Sequence, residues 1–247
     1  MLAGKAVLVT GAESGIGRAI ALECAAAGAA VLATGLIEAE LENTAAAARG
    51  RGGRCEFRRA DITVQDDVAA AFGAAVTAFG HIDAVVANAG IAAPRAPAHE
   101  IEPETWRRML EVNLTGTFLT VSEAARVLIR QGRGGSIVAT GSSTAVRAMT
   151  GLAHYAASKA AVHMLMRTMA LELAPHRIRV NTLVPGTTAS PLTRAMPGHL
   201  ERVAAELPLG EVVEPEELAR YVVFALSDAM PHLTGSLLTL DSGRTIA

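Results

Sequence analysis

Aromatic residues make up only 3% of this 247-residue sequence, and there are just two cysteines, Cys24 and Cys55. Neither cysteine belongs to a CxxC pair or a cluster of ligating companions. That excludes a disulfide framework and a cysteine-based zinc site as organising features. No window reaches the roughly 18 uninterrupted apolar residues that a membrane helix needs. A net charge of −2 provides no basic surplus for a nucleic-acid face. Met1 to Lys5 runs directly into Ala6-Val7-Leu8-Val9 and a glycine turn, with no long apolar stretch and no small-residue cleavage site. The expectation is a cytoplasmic protein with no membrane and no nucleic-acid partner.

Hydrophobic residues form 51% of the chain, much of this alanine in helical stretches, and charged residues 19%. That is enough apolar material for a substantial core, and the length suits one large domain. Short β-type runs alternate with longer helical patterns. Strands are expected at 5–9, 30–34, 56–60, 84–87, 136–140, 179–183 and 236–240. These runs read as largely apolar rather than alternating, as in a parallel sheet covered on both faces. Helices are expected at 15–27, 38–49, 64–79, 104–130, 152–174 and 215–227. Pro103 and Pro215 suit first-turn positions, and Gly28, Gly80 and Gly132 suit positions just past helix ends. The repeated alternation predicts an α/β fold: one Rossmann-like, doubly wound parallel sheet of about seven strands, with helices on both faces. No linker divides the chain, so residues 1–247 are expected to form one dinucleotide-binding and catalytic domain. The stretch 185–214, broken by Pro191, Pro197 and Pro208, reads as a loop-rich substrate lid or as a surface connection.

The first strand is followed by Thr10-Gly11-Ala12-Glu13-Ser14-Gly15-Ile16-Gly17, which opens a helix. Gly11 permits a sharp turn, while Gly15 and Gly17 would let backbone and helix approach a pyrophosphate without Cβ interference. The helix N-terminus offers free N–H groups and partial positive charge to phosphates. This TGxxxGxG spacing departs from GxGxxG and resembles the short-chain dehydrogenase/reductase family. The resemblance extends along the chain through Asp61, the Ala87-Asn88-Ala89-Gly90 segment, Asn113, Ser142, Tyr155, Lys159 and Val184-Pro185-Gly186. It departs at Ala87, where the family's NNAG segment begins with asparagine.

The resemblance implies an NAD(P)(H)-dependent oxidoreductase that interconverts a secondary alcohol and a ketone. It assigns Asn113, Ser142, Tyr155 and Lys159 as the catalytic set. Cofactor contacts are implied at Gly11, Ser14, Gly15, Ile16, Gly17, Gly35, Leu36, Asp61, Ile62, Asn88, Ala89, Gly90, Tyr155, Lys159, Pro185, Gly186, Thr188 and Ser190. Tyr155 and Lys159 stand four apart, on one helix face. By itself such a pair is also a common surface feature. A phenol with a pKa of about 10 is a poor base at neutral pH, and a nearby ammonium should lower it. Ser142 would hydrogen-bond the substrate oxygen, and Asn113 would hold a water that links Lys159 to solvent, unless it merely caps or kinks its helix. No metal is expected: His154 and His163 lie nine apart without a partner at ligand spacing, and the other histidines fall singly.

The segment Thr34-Gly35-Leu36-Ile37-Glu38 carries neither the aspartate usual for NAD nor the arginine usual for NADP. Glu13, helped by Glu38, would repel a 2′-phosphate, so NAD is preferred over NADP. The substrate pocket is expected from Thr144 to Leu152, from residues after Gly90 and from the lid. Its members would include Ile91, Ala92, Val146, Arg147, Met149 and Leu192, which suits a small or mid-sized neutral alcohol or ketone. Arg147 reads either as a carboxylate contact or as solvated. Two alternatives stay open: a 3-oxoacyl carrier-protein reductase using NADPH, with Arg126, Arg130 and Arg133 as a basic strip, and a non-catalytic nucleotide-binding regulator. A homotetramer built through the two long helices carrying Asn113 and Tyr155 is expected.

Overall fold

The computed structural model describes residues 1–247 except for the side chain of Leu192. Seven parallel strands form one sheet in the order β3-β2-β1-β4-β5-β6-β7. They are β1 (Ala6–Thr10), β2 (Ala30–Gly35), β3 (Arg54–Arg59), β4 (Ala84–Ala87), β5 (Gly135–Thr140), β6 (Ile178–Pro185) and β7 (Leu237–Leu240).

Side chains alternate across the sheet, so each central strand feeds two cores. Val7 and Val9 of β1 pack beneath α1 (Gly15–Ala26), α2 (Glu38–Gly50) and α9 (Pro215–Leu226), with Ile20, Leu41 and Val222. Leu8, between them, faces α3 (Gln65–Phe79), α5 (Thr117–Gln131) and α6 (Ala153–Leu173), with Phe72, Leu128 and Met166. Each such fully buried side chain contributes about 1.5–3 kcal/mol. Burial on both faces is why these strands read as unbroken apolar runs.

β3 departs from that expectation. Its sequence, Arg-Cys-Glu-Phe-Arg-Arg, buries only Cys55 and leaves most of its neighbours exposed, as an edge strand allows. The helix expected at 104–130 is also not continuous. It consists of α4 (Pro103–Leu110), a π-helical turn at Glu111–Gly116 and α5. Within 185–214 lie two short helices, α7 (Pro191–Arg194) and α8 (His199–Glu206). Arg194 anchors this segment to the start of α9 through Glu214, at 2.9 and 2.7 Å.

The strand order reverses between β1 and β4, which leaves a crevice at their carboxyl ends. Asn88 bridges it: its side-chain amide donates to the Thr10 and Gly11 carbonyls at 3.2 and 3.4 Å, and its oxygen accepts from Thr140 at 3.1 Å. The Thr10 hydroxyl accepts from the backbone N–H groups of Asn88 and Ala89 at 3.0 and 3.1 Å.

Candidate active site

A cleft of about 410 Å³ opens at this reversal. Of the residues expected to touch cofactor, Gly11, Ser14, Gly15, Ile16, Gly35, Leu36, Asp61, Ile62, Asn88, Ala89, Gly90, Tyr155, Lys159 and Ser190 line it. Pro185, Gly186 and Thr188 line an adjoining cavity instead. Gly17 lines neither. It is buried, and a Cβ there would run into the Gly11 carbonyl and the Asn88 side chain. Its lack of a side chain lets α1 pack against the loop.

The cleft suits a dinucleotide. Helix α1 begins at Gly15, whose φ is 52°, and its Ser14 N-cap makes no side-chain capping bond. The unfilled first-turn N–H groups and the helix dipole therefore remain available to an anion. Asp61 lies across the cleft, its carboxylate held by the Thr63 N–H at 2.9 Å and the Thr63 hydroxyl at 2.7 Å. These bonds hold it below the usual carboxylate range against opposing desolvation, with help from Arg108 and Arg59.

The β2 end holds an arrangement that residue order alone did not reveal. Glu13 reaches across from the glycine loop, and its Oε1 accepts from the Leu36 N–H at 3.1 Å. Its Oε2 is buried with no hydrogen-bond partner. A Cβ on Gly35 would collide with this carboxylate. Glu38, by contrast, is exposed and does not line the cleft.

The adjoining cavity, about 770 Å³, contains Ser142 and Tyr155 together with Thr144, Met149, Leu152, Met196 and Val203. Tyr155, Thr140, Ile16, Ala92 and Ser190 line both spaces. Tyr155 therefore stands at the junction of the two, with Lys159 buried on the cleft side. The Lys159 ammonium donates to the Thr140 carbonyl at 2.8 Å and sits 5.9 Å from the centre of the Tyr155 ring. Burial pushes Lys159 down to about 8. Burial also raises the Tyr155 hydroxyl above the ordinary phenol range, while neighbouring Ser142 opposes the rise. Burial outweighs Ser142, so the net lowering expected from Lys159 is not seen.

Asn113 lies in the π turn, fully buried, and lines neither space. Its Oδ1 accepts from the Ile91 N–H at 2.8 Å, and its Nδ2 donates to the Ile91 carbonyl at 3.0 Å and to Ser158 at 3.2 Å. The extra residue of the π turn carries it inward beneath the loop that follows β4. His163, which in sequence has no partner at ligand spacing, accepts from the Ser142 N–H at 3.3 Å. Burial, with the Lys159 charge, pushes it down to about 4.

The expected pocket members separate. Ala92 and Met149 line the cavity, Ile91 lines the cleft, and Val146 and Arg147 are exposed outside both linings. The side chain of Leu192 lies outside the described residues. The neutral character expected of the pocket does not hold, because Arg95, Arg202 and Arg244 all line it. Among the described residues no group of three His, Cys, Asp or Glu side chains is placed to hold a metal. No helix among them is long and apolar enough to cross a membrane.

A doubly wound sheet with a glycine-rich loop at its reversal and a Tyr–Lys pair between two pockets defines a dinucleotide-dependent oxidoreductase architecture. A family model described as enoyl-(acyl carrier protein) reductase, adh_short_C2, matches residues 11–245. The cis-4-hydroxycyclohexanecarboxylate dehydrogenase of Sinomonas cyclohexanicum is 39% identical, covering 98% of this chain and 97% of its own. A short-chain type dehydrogenase/reductase from Mycobacterium marinum superimposes with a TM-score of 0.95 at 37% identity, covering 100% of this chain and 97% of its own. A 3-ketoacyl-(acyl-carrier-protein) reductase from Brucella melitensis, solved with NADH, gives 0.92 at 32% identity, covering 99% and 100%. The chain belongs to the short-chain dehydrogenase/reductase family, enzymes that exchange hydride between NAD(P)(H) and CH–OH groups.

Proposed function

We propose that this enzyme oxidises a cyclic secondary alcohol, or reduces the matching ketone, with Tyr155 transferring the proton and NAD(H) preferred as cofactor. The observation that carries the reading is the position of Tyr155 where cleft and cavity meet. A bound nicotinamide supplies or accepts the hydride. In oxidation Tyr155 removes the hydroxyl proton as negative charge develops on the substrate oxygen; in reduction it returns one. Ser142 holds that oxygen from the same wall of the cavity, and His163 fixes the Ser142 backbone. Lys159, held by Thr140, is the buried cation that favours the phenolate and binds the ribose hydroxyls. Asn113 fixes the Ile91 backbone beside Gly90 and, with an ordered water, links Lys159 to solvent.

The NAD preference rests on Glu13. Its unpartnered buried oxygen suits a ribose 2′-hydroxyl donor and would repel a 2′-phosphate. The S. cyclohexanicum relative, whose name specifies a hydroxycyclohexanecarboxylate, supports a ring alcohol as the substrate class. The segment 185–214 serves as the lid, since residues of α7 and α8 line the cavity. The carrier-protein reading finds less support: Arg126 and Arg130 both pair with Glu123, and Arg133 faces Asp83 at 3.9 Å. A homotetramer through α5 and α6 fits the exposure of Phe118, Met164 and Leu171, at 46%, 61% and 79%.

Titrating NAD and NADP, with thermal unfolding as readout, and then assaying a panel of cyclic alcohols and ketones tests the proposal. Stabilisation by NAD at lower concentration than by NADP, followed by turnover of ring alcohols, is expected. Tighter NADP binding would overturn the cofactor assignment, and turnover confined to acyl-carrier thioesters would overturn the substrate class.

A further inference from the structure

Arg244 stands in the C-terminal turn after β7, only 7% exposed, with its side chain lining the same cavity as Ser142 and Tyr155. Among the described residues no carboxylate lies within ion-pair distance of its guanidinium. A guanidinium carries five N–H donors. Here one nitrogen donates to the Thr187 hydroxyl at 3.3 Å, and another meets the thioether sulfur of Met149 at 2.9 Å, a weak acceptor. Asp241 could have neutralised it, yet both its oxygens are committed to the turn. Oδ1 accepts from the Gly243 N–H at 3.1 Å and Oδ2 from the Thr245 N–H at 2.8 Å. The acid thus shapes the turn that presents Arg244 and leaves the charge itself unpaired.

Buried charges are ordinarily paired, because desolvation makes an unpaired one costly. The surroundings increase that cost. Arg95 and Arg202 line the cavity as well, against a single lining acid, Glu206, which is exposed. Burial and the nearby Arg147 and Arg95 push Arg244 below its ordinary range, with Glu206 and Asp241 opposing. The remainder of the wall is largely apolar, including Met149, Leu152, Met196 and Val203. A forked cation and a proton-transfer group that share one cavity with apolar side chains suit an amphipathic acid.

We infer that the substrate is a hydroxy acid, or the corresponding oxo acid, whose carboxylate is held by Arg244 while its carbinol carbon faces Tyr155 and Ser142. The inference rests on the oxidoreductase reading and narrows it from a cyclic secondary alcohol to one that carries a carboxylate. Arg244 is then a specificity-determining residue, and Arg95 and Arg202 draw the anion in from solvent.

Equilibrium binding tests the inference without turnover. Cyclohexanecarboxylate, benzoate and hexanoate, each beside its uncharged amide, are titrated calorimetrically into the NAD-saturated full chain. The acids should bind about 10- to 100-fold more tightly than their amides, the gain expected of hydrogen bonds to a charged group. Arg244→Met should remove that preference while leaving amide affinity and the NAD dissociation constant within about twofold, and Arg244→Lys should restore part of it. Equal binding of acid and amide to the unaltered protein would overturn the inference and needs no variant to fold. An acid preference that survives Arg244→Met would overturn it too. Turnover of cyclohexanone reports separately on the oxidoreductase reading: its absence with every carbonyl tested would count against that reading and leave the anion preference measurable.

Discussion

The carboxylate of Glu13 occupies the space that a side chain on Gly35 would fill. The glycine loop and the end of β2 are thereby coupled, and the acid at this end of the cleft comes from the glycine loop, as the sequence suggested, and not from β2. Gly35→Ala should push the flexible Glu13 side chain aside at little cost in stability while weakening NAD binding. Glu13→Ala should weaken NAD by about 10- to 100-fold, the worth of a hydrogen bond to a charged acceptor, and narrow the gap to NADP. The double variant should lose no more than Glu13→Ala alone, because both changes remove the same contact. Dissociation constants for NAD and NADP across this cycle check the prediction; additive losses would contradict it.

Lys159 is pushed down to about 8, and the Tyr155 hydroxyl is raised, by the same buried surroundings. The Lys159 ammonium is the cation that favours the phenolate, so kcat/KM for alcohol oxidation should fall as pH rises through about 8, where Lys159 loses that charge. Lys159→Arg, which stays protonated, should move or abolish that inflection. A flat profile between pH 6 and roughly 9 would exclude Lys159 as the group that titrates.

His163 accepts the Ser142 N–H only when its Nε2 carries no proton. Its pKa falls from 6.5 in the unfolded chain to about 4 when folded. Above 6.5 both states are neutral and the folded protein has its full stability. As pH falls from 6.5 towards 4 the unfolded chain takes up a proton that the folded one refuses, so stability declines over that window and levels off below it. Urea unfolding at pH 7 and pH 4.5, compared with His163→Gln, measures this; the variant should show a shallower decline.

Phe118 on α5 and Met164 and Leu171 on α6 are exposed apolar side chains on the two helices proposed to join copies of the chain. Light scattering should give a tetramer mass. Paired Met164→Glu and Leu171→Glu substitutions should split the assembly by placing charge in the contact. A monomer mass for the unaltered protein would refute the assembly.

Much of this architecture was legible in sequence for a physical reason. The central strands are covered on both faces, so runs such as Val7-Leu8-Val9 stand out and their ends fall close to expectation. β3 was placed less well, because an edge strand needs no apolar run to keep its place. The π turn was invisible because apolar periodicity does not register one inserted residue between α4 and α5, and that residue count carries Asn113 inward. The glycine loop and the Tyr155/Lys159 pair could be read because their geometry is local. Glu13 at Gly35, His163 at Ser142 and Arg244 at Met149 could not, being contacts across 22, 21 and 95 residues that only the closed fold creates.

The central claim is that Tyr155, at the junction of cleft and cavity, transfers the proton. Tyr155→Phe removes one oxygen and keeps the ring, so the fold and the cleft should survive. The decisive comparison is kcat for a ring alcohol alongside the NAD dissociation constant in that variant. The account predicts a fall in kcat of roughly 10²–10⁴-fold, the usual contribution of a positioned acid–base group, with NAD affinity within about threefold. Turnover that persists near the unaltered rate would contradict it.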